Sequence, residues 1–203
     1  MLPAAGLMKT LSIVHHPHPA LRRKCRELKK IDAELRDMVK QMFSLMYEAR
    51  GVGLAANQCG LPYRLFVINP EGDPACSDDE MVFINPRITR RRGAADGEEG
   101  CLSLPEMYAP VPRAAQIVVD AFDLTGQPFE LEMEDFPARV VQHEFDHLEG
   151  LMFTDRISAT ELTKLQLQLA DLERQFTAQQ KEGQIPTLEQ LNAELDQLER
   201  ART

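Results

Sequence analysis

Residues 140–150 read VVQHEFDHLEG. His143 and His147 stand four apart, so on a helix they lie one above the other on a single face. Two imidazoles so placed can reach one ion, and Glu144, directly after the first, can act on a water held there. A chance H-E-x-x-H arises about once in a hundred chains of this kind. The pair therefore needs a third ligand from elsewhere before it defines a metal centre.

Cys101 supplies the best candidate. It sits in EGCLSLP, where a glycine precedes it and a strand context allows close approach to another element. One thiolate and two imidazoles leave a fourth position open, the arrangement of a catalytic site. A copper electron-transfer centre also uses two His and one Cys. Such a centre needs no glutamate beside a ligand, which favours the catalytic reading. Asp146, inside the motif, either orients a histidine or serves an exposed or capping role. His15, His16 and His18 cluster without regular spacing and read as surface or packed histidines.

The segment GVGLAANQCG, residues 51–60, permits a tight backbone path, and Gln58 offers an amide that can donate to a developing oxyanion. Alone it means close packing after a helix; beside a Cys ligand and the histidine pair it gains chemical meaning.

The chain around these motifs is 203 residues long with a net charge of -9, 43% hydrophobic and 27% charged. That allows one sizeable core plus an appendage and argues against a general nucleic-acid binder. No stretch approaches the roughly 20 apolar residues of a membrane span. The opening MLPAAGLMKTLSIVHHPHP lacks the features of an export signal, and Met8 is a second candidate start. Four irregularly spaced cysteines without a C-x-x-C pair then point to reduced thiols in the cytoplasm.

Ile31, Leu35, Met38, Val39, Met42, Phe43 and Met46 follow a helical period over residues 31–50, with Asp32 as cap and Gly51 as terminator. YRLFVINP and MVFINP read as short strands, each closed by Asn-Pro. RITRRRGAADGEEGCLSLP suggests a strand, a polar loop and a strand carrying Cys101. A β-hairpin is expected around Thr125-Gly126, and Pro137 opens the motif helix. The fold class is α+β, mixed or antiparallel strands around a central metal-binding helix, with residues 1–157 as the catalytic domain. Residues 158–203 form a C-terminal helical extension. Leu162, Leu165, Leu169, Leu172 and Phe176, then Leu188, Leu191, Leu195 and Leu198, step by threes and fours. Two capped helices in an antiparallel hairpin are expected, their seams packing on each other, on the domain or on a second copy.

GVGLAANQ, EGCLSLP and QHEFDH, in this order, resemble the three signature motifs of peptide deformylases, and HPHPALRRKC is similar to that family's N-terminal segment. The resemblance covers residues 11 to 155. It implies a hydrolase that removes the N-formyl group from nascent chains beginning with formyl-methionine. By the same resemblance Cys101, His143 and His147 hold the metal, Fe(II) natively with Zn, Ni or Co able to replace it, and Glu144 is the general acid/base. The Gln58 amide and the Leu102 backbone N–H become oxyanion donors. Gly53 lines the peptide edge, Val52, Glu99, Arg139 and Val140 shape the methionine pocket, and Tyr108 lies on the substrate-facing loop. Two other classes remain at this level: a metallopeptidase, and an inactive relative serving as a binding module. Relatives approach the ribosome through a C-terminal helix, but residues 158–203 carry eight acidic against five basic residues, a net charge of -3. That is unfavourable for RNA and turns attention to a homodimer through these helices.

Overall fold

The computed structural model describes residues 10–203; the choice between Met1 and Met8, and residues 1–9 of the opening segment, lie outside them. Seven strands fall into two antiparallel sheets. Five build the larger sheet: β1 (Gly53–Ala55), β2 (Leu65–Ile68), β3 (Met81–Arg92), β6 (Gln116–Phe122) and β7 (Pro128–Glu134), in the order β1-β2-β3-β6-β7. The other two, β4 (Ala95–Cys101) and β5 (Leu104–Arg113), pair as a separate hairpin.

The larger sheet is covered on both faces, and β2 shows how. Side chains alternate along a strand, so Leu65 and Val67 join the cluster of Leu35, Val39, Met42 and Met46 on helix α1 (Ala33–Glu48). Phe66 and Ile68 face the other way, into the cluster of Ala138, Val140, Val141 and Leu148 on helix α2 (Asp135–Leu148). All four β2 side chains are buried, which explains their unbroken apolar run. The helix read over 31–50 is thus present, capped by Asp32 accepting from the Leu35 N–H at 3.0 Å, with its methionines in the core.

Two strand boundaries differ from the sequence reading. Asn69-Pro70 ends β2, but Asn85-Pro86 does not end β3. There Asn85 takes φ 52 in a bulge between Ile84 and Arg87. Its side chain bonds both the N–H (2.8 Å) and the carbonyl (2.9 Å) of Leu28, so the strand continues past the proline. The polar segment GAADGEEG is mostly strand β4, after a tight turn at Gly93 with φ 65. The 125–126 turn forms as expected, Asp123 accepting from the N–H groups of Thr125 and Gln127. Helix α2 starts two residues ahead of Pro137, which still falls in the first turn, where its missing N–H leaves no bond unmade.

The tail forms two helices, α3 (Ala159–Lys181) and α4 (Leu188–Arg202), capped by Ser158 and Thr187. Their leucines pack onto the rest of the chain. Leu165, Leu169 and Leu172 join Leu104, Met107, Ala109 and Phe153, while Leu198 joins the α1 cluster. The early histidines meet α3: His16 Nε2 lies 3.1 Å from Glu173, and the His18 ring packs edge-on to Phe176.

Candidate metal centre

Helix α2 carries His143, Glu144 and His147 into the interior, where all three are buried. Cys101 arrives from the end of β4, where the pairing with β5 shifts register after Gly100. The ligand atoms of Cys101, His143 and His147 all lie within 4.8 Å of one another, and Cys101 Sγ is 3.3 Å from His147 Nε2. A tetrahedral ion with sulfur at about 2.3 Å and nitrogen at about 2.0 Å places those atoms roughly 3.5 Å apart. The donors and their convergence fit a divalent transition-metal ion.

The donors are held by a buried ionic chain. Glu99 Oε2 accepts from His143 Nδ1 at 2.9 Å, leaving the other ring nitrogen for the centre. Arg113 grips both Glu99 oxygens at 2.9 Å and reaches Asp146 at 2.5 Å; Asp146 also pairs with Arg156 at 2.6 Å. Arg139 adds a bond to Glu99 at 2.8 Å. Burial alone would raise the Glu99 carboxyl, but Arg113 and His143 outweigh it and hold it at about 2. The two imidazoles diverge. Burial disfavours charge on both, yet Cys101 and Glu99 lift His143 to about 10, while burial and the neighbouring His143 push His147 well below its ordinary value. Asn57 anchors the far end of the motif, donating to the His147 carbonyl at 2.6 Å.

Glu144 is set against Gly53: a Cβ on that glycine would stand 2.5 Å from Glu144 Oε1. Oε2 is buried with no hydrogen-bond partner among the described residues. Burial is the main cause of a carboxyl raised to about 7. Gln58 is oriented by the Ala55 N–H on its Oε1 at 2.8 Å, so its Nε2 points to Cys101 Sγ (3.5 Å) and Ser103 Oγ (3.3 Å).

A cavity of about 530 Å³ opens over this cluster. Val52, Gly53, Gln58, Glu99, Cys101, Leu102, Tyr108, Arg139, Val140, His143 and Glu144 all line it, which is every candidate residue except His147. Glu99 and Arg139 differ from the pocket-wall expectation in one respect: their charged ends bind each other, and Glu99 also binds His143 and Arg113. Asp146 orients no histidine, because its carboxylate binds Arg113 and Arg156. Arg113, Asn57 and Ser103 escaped the sequence reading. A charged residue at a strand end looks like surface, and nothing local marks Arg113 as 7% exposed.

A cysteine and a helical histidine pair, with a buried glutamate beside them whose Oε2 lacks a partner, on an α+β frame, fit a metal-dependent hydrolase. Residues 10–163 match the polypeptide deformylase family model. The peptide deformylase of Rhodopirellula baltica is 44% identical over 187 residues, 91% of this chain and 92% of that one. A chloroplastic/mitochondrial peptide deformylase 1B of Arabidopsis thaliana is 39% identical over 90% of this chain and 66% of its own. The crystal structure of the Plasmodium falciparum peptide deformylase superposes with a TM-score of 0.80 at 33% identity, covering 82% of this chain and 98% of that one. The chain belongs to the peptide deformylase family.

Proposed function

We propose that this chain hydrolyses the formamide of peptides beginning with formyl-methionine, releasing formate and a free amino terminus. One observation carries the reading at atomic level: Glu144 lines the cavity beside Cys101 and His143, and its Oε2 is buried without a hydrogen-bond partner among the described residues. An ion held by Cys101, His143 and His147, Fe(II) by family resemblance with Zn, Ni or Co as substitutes, would supply Lewis acidity there and lower the pKa of water at the site. Glu144 accepts the proton of the attacking water and returns it to the departing amine. The Gln58 Nε2 and the Leu102 backbone N–H stabilise the tetrahedral oxyanion, each such donor being worth roughly 2.7–4 kcal/mol of barrier. Glu99, braced by Arg113 and Arg139, keeps the His143 ring oriented. Val52 and Val140 border the space for a long unbranched side chain, Gly53 lines the peptide edge, and Tyr108 flanks the entrance.

Formylated nascent peptides are the partners this chemistry requires, and the cytoplasm is where we place the reaction. No described helix is long and apolar enough to cross a membrane. For the tail, a net charge of -3 over residues 158–203 argues against attraction to ribosomal RNA. The buried Leu165, Leu191 and Leu195 are covered within one chain, so a homodimer is not needed to bury them. The test is formate release from formyl-Met-Ala-Ser by purified protein of known metal content. Release of an amino acid instead would indicate a metallopeptidase, and no turnover with full metal would indicate an inactive relative.

A further inference from the structure

The turn after Cys101 bears on both oxyanion donors of the proposed reaction. Cys101 pairs with Leu104, so Leu102 and Ser103 are the two central residues of a hairpin turn. Leu102 carries one donor, its backbone N–H. Ser103 is 0% exposed and, unlike its neighbours Leu102 and Leu104, does not line the cavity. Its hydroxyl accepts a hydrogen bond from the other donor, Gln58 Nε2, at 3.3 Å.

A glutamine amide offers an acceptor oxygen and two donor hydrogens. The Gln58 oxygen accepts from the Ala55 N–H at 2.8 Å, and one Nε2 hydrogen goes to Ser103. The other hydrogen is left on the side of Cys101 Sγ, 3.5 Å from Nε2. With two of its three directions fixed, the amide cannot flip or swing without leaving a buried polar atom unpaired. One segment straps the backbones of both residues. The Val14 N–H donates to the Gln58 carbonyl at 2.8 Å, and the His16 N–H to the Ser103 carbonyl at 3.1 Å. A buried hydroxyl destabilises the fold unless it is bonded. Among the described residues, Gln58 is the partner the Ser103 hydroxyl has.

We propose that Ser103 is a positioning residue for deformylation: it holds the Gln58 amide so that the remaining hydrogen points at the forming oxyanion. The inference rests on the deformylase reading and adds to it a residue that acts only through Gln58. A donor aimed before the reaction begins favours the transition state over the ground state. Removing the Ser103 hydroxyl should therefore lower kcat and leave KM in place. The expected loss is about tenfold, below the roughly 10²–10³-fold of deleting a donor outright. It is smaller because the Ala55 bond still restrains the amide.

The test is a double-mutant cycle with formyl-Met-Ala-Ser on the metal-loaded protein, comparing Ser103→Ala, Gln58→Ala and the double variant, with kcat taken per bound metal. Ser103→Ala should lose about tenfold in kcat at unchanged KM. It should lose nothing further where Gln58 is already alanine. Wild-type kcat in Ser103→Ala, or a loss of equal size in both backgrounds, overturns the inference. A readout apart from turnover follows Gln58 itself, through the side-chain amide signals that Gln58→Ala removes from the proton–nitrogen NMR spectrum of zinc-loaded protein. Those hydrogens should exchange with solvent faster in Ser103→Ala, and unchanged exchange overturns the inference. If the unmodified protein releases no formate, the deformylase reading fails by itself, and the exchange rates still decide whether Ser103 holds the amide.

Discussion

Gly53 and Glu144 share a space that holds only one of their side chains, since a Cβ on the glycine would lie 2.5 Å from Glu144 Oε1 and 2.9 Å from its Cγ. Gly53→Ala must therefore turn the carboxylate out of its seat. Formate release should fall by about 10²-fold or more, the scale of a lost general acid–base. Metal content should stay at the unmodified level. Undiminished turnover in Gly53→Ala would show that the carboxylate works from another position.

Glu144→Gln tests the same group without moving it. The amide keeps the shape but cannot carry the water's proton, so kcat should drop by at least ~10²-fold while bound metal is retained. Metal analysis and formate assays on one preparation check both halves. Wild-type turnover in Glu144→Gln would remove Glu144 from the mechanism.

Removal of a ligand should have the opposite signature. Cys101→Ser and His143→Ala each take one of three convergent donors, and both should purify with little metal. The variants should also melt at lower temperature than the loaded protein, because an ion that binds only the folded chain stabilises it by mass action. Full occupancy in Cys101→Ser would exclude the thiolate from the ligand set.

Much of this was legible in the sequence because it is local. The i,i+4 histidines, the α1 stripe and the capped tail helices are periodic signals that neighbouring residues carry. The β5 strand was not, since Pro105, Pro110 and Pro112 interrupt any strand pattern over that stretch. They are tolerated because β4 and β5 form a two-stranded sheet in which each strand has one open edge. The bulge at Asn85 depends on Leu28, 57 residues away, and the burial of Arg113 on Glu99 and Asp146 from two other elements. The heptads announced that the tail packs, but not on what. Only the assembled fold sets Leu165 beside the strand that walls the cavity. For that reason, deletion of residues 160–203 is expected to lower both the melting temperature and kcat/KM for short formyl peptides. A truncated protein with unchanged values of both would show that β5 keeps its shape uncovered.

The last prediction concerns acid stability and the latch that holds the C-terminus. Asp32 caps α1 through the Leu35 N–H and also accepts from Arg202 Nη1 at 3.0 Å. Arg202 pairs further with Glu34, and its carbonyl accepts from the Lys29 N–H at 3.0 Å. Burial pushes the Asp32 carboxyl up, but the Leu35 N–H, Arg202 and Lys30 outweigh it and hold the group at about 2. An unfolded aspartate titrates near ~3.9. The folded value is the lower one, so the carboxylate's contribution is complete above about pH 4. It is lost as pH falls through the folded value of about 2. Asp32→Asn keeps the size and much of the capping ability but has no charge to lose. The gap in urea midpoint between wild type and Asp32→Asn should therefore be constant from neutrality to about pH 5 and shrink steadily below pH 4. Arg202→Ala should narrow the same gap at neutral pH by removing the partner the carboxylate holds. A gap that stays constant down to pH 2.5 would show that Asp32 titrates alike in the folded and unfolded chain, and the ionic latch would then contribute nothing to acid stability.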